Sequence, residues 1–272
     1  MGMKTEWVRY GGGQEFSGVA MWPERATLPL PAVIVIQEAW GVDAHIEDVT
    51  CRFAQAGYVA FAPDLFSRNG ERVPPFTKER LTELQAFINS APPSIWMDAQ
   101  ARTAALALRP PEEAARLGET MGALFGGALA SDKHLPAVLA ASSFLRNDFA
   151  PSRGQKIAAV GYCMGGALSG LLACHDPELK AAVVFYGSAP AADLMPRIQC
   201  PVLAFTGSLD KRLVDALPAF AADMKKAGRE LESHLYEGVQ HAFFNDRRPS
   251  YSVGATRDSF VRTLELFRRV LA

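Results

Sequence analysis

The sequence predicts an α/β fold, with a mostly parallel central sheet and helices on both faces. Three observations carry this. Short runs without a single polar residue, such as Ala32-Val33-Ile34-Val35-Ile36 and Ile157-Ala158-Ala159-Val160, have the length and composition of strands buried on both sides. Each such run gives way to a glycine-containing or polar loop, and helical segments lie between successive runs. The chain is 272 residues long and 49% hydrophobic, which is enough for one large core, and α/β domains commonly run to this length.

Taken in order, residues 6–10 and 16–21 flank Gly11-Gly12-Gly13 and predict a β-hairpin that opens the sheet. A strand over 33–37, a helix over 46–56 stopped at Gly57, and a strand over 58–62 then form a β-α-β unit. Further strands are predicted near 156–160, 181–186, 202–206 and 230–235, alternating with helices and ending in a helix over 259–271. The stretch 67–130 is rich in Ala and Pro, with helical segments at 78–89 and 98–108. It reads as a helical insertion, with Pro92-Pro93 and Pro110-Pro111 acting as helix breaks. Its role is either a cap over the site or a surface decoration, and no internal repeat is evident.

The chemistry is concentrated in Gly161-Tyr162-Cys163-Met164-Gly165-Gly166, which sits between a buried strand and a small-residue helix. G-x-C-x-G is the thiol version of the G-x-S-x-G nucleophile elbow, so Cys163 is a candidate nucleophile; alone, it reads equally well as a buried small hydrophobe. Asp210 lies just past the strand ending at Thr206, where open α/β sheets keep their sites, although Asp is also a common turn or cap residue. His241 follows a strand end and the loop Glu237-Gly238-Val239-Gln240, and taken singly is an ordinary loop histidine. Nucleophile, acid, histidine is the chain order of α/β-hydrolase triads. The loop after strand 33–37, reading Gln37-Glu38-Ala39-Trp40-Gly41, is where such folds supply one oxyanion-hole N–H; the residue after the nucleophile supplies the other. The expected donors are therefore the backbones of Ala39 and Met164.

Five ordered motifs, Gln37-Glu38-Ala39-Trp40-Gly41, Ala62-Pro63-Asp64-Leu65, Gly161-Tyr162-Cys163-Met164-Gly165-Gly166, Gly207-Ser208-Leu209-Asp210 and Glu237-Gly238-Val239-Gln240-His241-Ala242-Phe243, together resemble the dienelactone hydrolase (carboxymethylenebutenolidase) family. The likeness extends over most of the chain. It implies an α/β-hydrolase fold, a Cys163–His241–Asp210 triad and Glu38 as an auxiliary carboxylate that takes up the thiol proton. The alternative for Glu38 is a hydrogen bond to a neighbouring loop. Well-known members of that family hold a substrate carboxylate with arginines, one of them shortly after the catalytic His. Here the matching position is Asn245, so that ion pair is absent, and Arg68, Arg72, Arg80 and Arg102 are the candidates to replace it. The aromatics Trp40, Phe66, Trp96, Phe125 and Phe243 suggest an apolar pocket suited to a small neutral ester or lactone.

The reaction implied is acyl transfer by a thiolate, with no cofactor. Thiolates are also good leaving groups, so activated esters, enol lactones and thioesters suit Cys163 better than amides. Rival readings are a thioesterase or general carboxylesterase, a non-catalytic ligand-binding scaffold, and a redox sensor; for the last, the sequence lacks an adjacent resolving cysteine. None of the five histidines has metal-ligand spacing to a second His or Cys, so no metal is expected. A net charge of −1 gives no bias toward nucleic acid, and no apolar run reaches membrane-spanning length. The opening Met1-Gly2-Met3-Lys4-Thr5-Glu6-Trp7 has no apolar signal core, and Cys51, Cys163, Cys174 and Cys200 form no C-x-x-C. The expectation is a cytoplasmic enzyme with a small-molecule substrate, as a monomer or homodimer.

Overall fold

A computed structural model describes residues 2–96 and 98–272. The chain opens with strands β1 (Met3–Tyr10) and β2 (Phe16–Pro23), an antiparallel pair turning at the glycine run, where the Gln14 N–H donates to the Gly11 carbonyl. Then come β3 (Ala32–Ile36), α1 (Ala44–Gln55) and β4 (Val59–Pro63). Asp43 caps α1 by accepting from the His45 and Ile46 N–H groups, and the helix ends just before Gly57, which has φ +100°. The stretch 67–130 holds a two-residue hairpin, β5 (Ser67–Arg68) and β6 (Glu71–Arg72), and three helices: α2 (Lys78–Ser90), α3 (Ala99–Leu106) and α4 (Pro111–Ala123). A π turn over Leu124–Ala128 follows. The remainder is α5 (Leu135–Asn147), β7 (Ile157–Tyr162), α6 (Met164–His175), β8 (Ala182–Phe185), β9 (Val202–Gly207), α7 (Lys211–Lys226), β10 (Leu231–Tyr236) and α8 (Val253–Leu271).

Eight strands form one sheet in the order β1-β2-β4-β3-β7-β8-β9-β10, parallel from β4 onward. This is the mixed α/β architecture of an α/β-hydrolase. The period of two in a strand explains how the wholly apolar β3 serves two cores. Ala32, Ile34 and Ile36 point into the cluster built with α5 and α6, while Val33 and Val35 point into the one built with α1 and α8. A third apolar cluster belongs to the 67–130 stretch: Leu84, Phe87, Leu117, Met121 and Leu124 pack together and against Ala39 and Trp40, in the loop leaving β3. Among the described residues no helix is long and apolar enough to cross a membrane.

The proline pairs fall between helices as expected, and Pro111 also opens α4, because at the first helical position its missing N–H has no intrahelical partner to lose. One local expectation differs from the outcome. The segment at 98–108 forms only the eight-residue α3, which has no fully buried residue, so it contributes little to the core.

Candidate active site

The thiol stands on the turn from β7 to α6. Cys163 is half-buried and has φ +55° and ψ −114°, left-handed in φ, a conformation that costs a non-glycine residue about 1–3 kcal/mol. Its N–H donates to the Phe185 carbonyl at 3.0 Å, which anchors the turn to β8. Two flanking glycines make the approach possible. A Cβ on Gly161 would fall 1.9 Å from the Gly165 carbonyl oxygen, and one on Gly165 would fall 2.4 Å from the carbonyl oxygens of Ile36 and Gln37. Helix α6 is thereby pressed against the end of β3, which places Met164 and Ala39 on the same cavity wall. Met164 is the first residue of α6, so its N–H has no intrahelical acceptor, and the positive end of the helix favours an anion at Cys163.

Asp210 follows β9 and precedes α7, and His241 lies in the loop after β10. Parallel pairing of β10 with β9 puts both loops at the same sheet end, and His241 Nδ1 lies 2.5 Å from Asp210 Oδ2. Burial works against charge at Asp210, but the hydrogen bond and charge of His241 outweigh it and hold the carboxyl below the usual range. At His241 burial likewise opposes the cation. The Cys163 sulfur and the Asp210 carboxylate prevail and push the imidazole up to about 10. Tyr186 packs on the His241 ring with centroids 5.0 Å apart. Both Tyr186 (φ +40°) and Ala242 (φ +60°) share the left-handed φ of Cys163, so three of the five non-glycine residues with positive φ among the described residues gather here.

Glu38 is buried on the same wall, and its Oε2 accepts a hydrogen bond from Asn245 Nδ2 at 2.8 Å. Asn245 is thus the fully buried partner of Glu38, the neighbouring-loop bond that the sequence left open. Cys163, Glu38, Asp210 and His241 line one cavity of about 650 Å³, together with the backbone-donor positions Ala39 and Met164. Trp40, Trp96 and Phe125 form its aromatic side, each ring meeting the next edge-on at 5.6 and 5.7 Å.

Two of the aromatics expected in the pocket are elsewhere. Phe66 stacks on Phe76 in the third cluster, and Phe243 is fully buried among Phe185, Tyr186 and Tyr236. The four arginines considered from the insertion also lie outside the cavity lining. Arg72 is paired with Asp64 at 2.6 Å, Arg80 with Glu119 at 2.7 Å, Arg68 donates to backbone carbonyls, and Arg102 lies over the Phe125 ring. The arginines that do line it, Arg212 and Arg248, come from α7 and from the loop after His241. Sequence reasoning missed both, along with Tyr186. Their signal was position alone: Arg212 is two residues past Asp210, and Tyr186 closes a strand beside the thiol turn.

Comparison with known proteins agrees on the family and the fold. The model of the dienelactone hydrolase family matches residues 16–271. A protein of Saccharolobus solfataricus named "Putative carboxymethylenebutenolidase" is 30% identical over 244 residues, spanning 89% of this chain and 90% of its own. A dienelactone hydrolase-like promiscuous phosphotriesterase from metagenomic libraries superposes with a TM-score of 0.71 at 22% identity, covering all of both chains. A dienelactone hydrolase from Anabaena variabilis gives 0.65 at 14% identity over 99% of each; at these identities the two structures speak for the fold. A family match spanning nearly the whole chain, with residues of four of the five motifs gathered on one cavity, makes this protein a member of the dienelactone hydrolase family.

Proposed function

We propose that this protein is a cysteine hydrolase that cleaves small esters or lactones through an acyl-enzyme on Cys163. Family membership supports hydrolase activity of the esterase kind in general. The observation that carries the finer reading is the hydrogen-bonded His241–Asp210 pair on the cavity wall that also bears Cys163. Asp210 occupies Nδ1 of His241, which leaves Nε2 for the thiol. The imidazolium, raised by the Cys163 sulfur and the Asp210 carboxylate, favours the thiolate as the attacking form. Attack on the ester carbonyl forms the C–S bond, and the oxyanion is received by the Ala39 and Met164 N–H groups; each such donor is typically worth about 3–4 kcal/mol. The alkoxide leaves with the His241 proton, and water activated by the same ring then releases the acid. Glu38 serves as the auxiliary carboxylate and accepts the thiol proton when the ion pair is not yet formed.

The cavity bears on the substrate. Ile88, Trp96, Phe125 and Leu129, all from the 67–130 stretch, form part of the lining, so we assign that stretch as a cap that shapes the acyl or lactone-ring side. Replacing Cys163→Ala removes p-nitrophenyl acetate hydrolysis and leaves the melting temperature within a few degrees. Turnover that persists in the folded variant disproves the nucleophile assignment.

A further inference from the structure

A polar cluster lies behind the thiol turn, and the chemistry above draws on only one of its members. Five buried side-chain atoms there make no hydrogen bond of good geometry: Glu38 Oε1, both ring nitrogens of His45, and the hydroxyls of Tyr162 and Tyr186, the last of which lies near enough to Glu38 for a hydrogen bond between them to act on the phenol. They make up half of the ten such atoms among the described residues, so the concentration needs a cause of its own. A polar atom buried unpaired is costly, and an internal water typically offers about three hydrogen bonds to groups of this kind.

The aromatic rings of the cluster lie side by side. The His45 ring lies 6.0 Å from that of Tyr162, which lies 6.3 Å from that of Tyr186, centroid to centroid. The Glu38 charge acts on both phenols. In the other direction, His45 Nδ1 is 3.9 Å from Asp246 Oδ1, and Asp246, 40% exposed, is bridged at 3.2 Å to Arg52 at the surface. His45 itself is wholly buried. The charged and titratable groups around it are Asp43 and Arg52 on its own helix and cap, and Glu38 from the loop after β3. Tyr162 faces it from β7 and Asp246 from the loop after His241, while Arg72 donates to the Val42 carbonyl just ahead of the helix.

We propose that Glu38, Tyr162, Tyr186 and His45 share internal water and form a relay that carries the thiol proton from Glu38 through His45 to Asp246 and solvent. The proposal rests on the thiolate reading. The step balances as proton transfer alone: Glu38 Oε1 accepts the proton that leaves Cys163 Sγ, His45 takes one up at one nitrogen as it gives one up at the other, and no electrons change hands. His45 touches neither substrate nor sulfur, so it is a positioning residue.

The test is a stopped-flow pH jump in which thiolate appearance is followed by its ultraviolet absorbance, in wild type and His45→Phe, with the signal of Cys163→Ser subtracted, because a relay sets how fast the thiol proton leaves and not how much thiolate is present at equilibrium. Phenylalanine keeps an aromatic ring against Tyr162 and Phe244 but transfers no proton. The expected result is a relaxation slowed about tenfold with the final absorbance unchanged and KM for p-nitrophenyl acetate within about twofold. Should His45→Phe fold poorly, Asp246→Asn at the exposed end decides, and it is expected to slow the relaxation in the same way. A relaxation as fast as wild type in the folded variant overturns the relay. The two hypotheses separate cleanly: an active Cys163→Ala removes the thiol reading itself, whereas an inactive Cys163→Ala with an unslowed relaxation in His45→Phe removes only the relay.

Discussion

At the level of single residues, the site is built from backbone positions as much as from side chains. Gly165 is the clearest case, because any Cβ there meets two carbonyl oxygens of the chain leaving β3 at 2.4 Å, and backbone cannot swing aside as a flexible side chain does. Gly165→Ala is expected to lower stability by about 1–3 kcal/mol and to separate the Met164 and Ala39 N–H groups, so kcat falls more than KM rises. Urea unfolding and steady-state kinetics on the same preparation check both, and a stable variant with wild-type kcat refutes the role. For Asp210→Asn, the amide presents an N–H toward Nδ1 or forces the other tautomer, and kcat is expected to drop by roughly 10³–10⁴. A wild-type rate would mean that another acid orients the ring. That Cys163, Asp210, His241 and Glu38 meet on one cavity was legible in the sequence, because motif and chain order place them at one end of the sheet. Phe66 and Phe243 misled because an aromatic beside a motif gives no sign of which way its ring points, and both rings turn into packed clusters. Arg212, Arg248 and Asn245 were hidden for the same reason, since their roles depend on loop paths that no local pattern encodes.

Among the elements, strands buried on both faces were the easiest to read. β3, β4 and β7 are bounded within one or two residues of expectation, because an unbroken apolar run of five or six has few other uses. Helices α4, α5 and α7 had no clear boundaries in the sequence; α7 even contains Pro218, and α5 carries the single Pro136 in its first turn. The 67–130 stretch bears on the cavity, since its apolar cluster holds the Trp96 and Phe125 rings against Trp40. Removing the indole in Trp96→Ala enlarges the acyl side of the cavity without touching the thiol. The hexanoate-to-acetate ratio of kcat/KM for p-nitrophenyl esters is expected to rise about tenfold, with kcat on acetate held within about threefold. An unchanged ratio across the ester series would make the stretch a surface decoration.

On the scale of the whole molecule, the His241–Asp210 pair links activity to global stability through pH. The Asp210 carboxyl is held below its ordinary 3.8 in the folded chain, so its contribution is fully present above that value and is lost as pH falls through the folded one. His241 is raised from 6.5 to about 10, so its contribution is fully present below 6.5 and is lost as pH climbs toward 10. Both contributions therefore coexist in full only between about pH 4 and 6.5. Asp210→Asn removes the first and, by taking away a carboxylate that holds the imidazolium, weakens the second. The difference in melting temperature between wild type and Asp210→Asn is expected to be largest inside that window and to shrink toward pH 3 and toward pH 10. Calorimetry of both proteins across that range tests it, and a difference that stays level with pH would mean that the pair is no ion pair in the folded protein, leaving His241 without the charge that the thiolate requires.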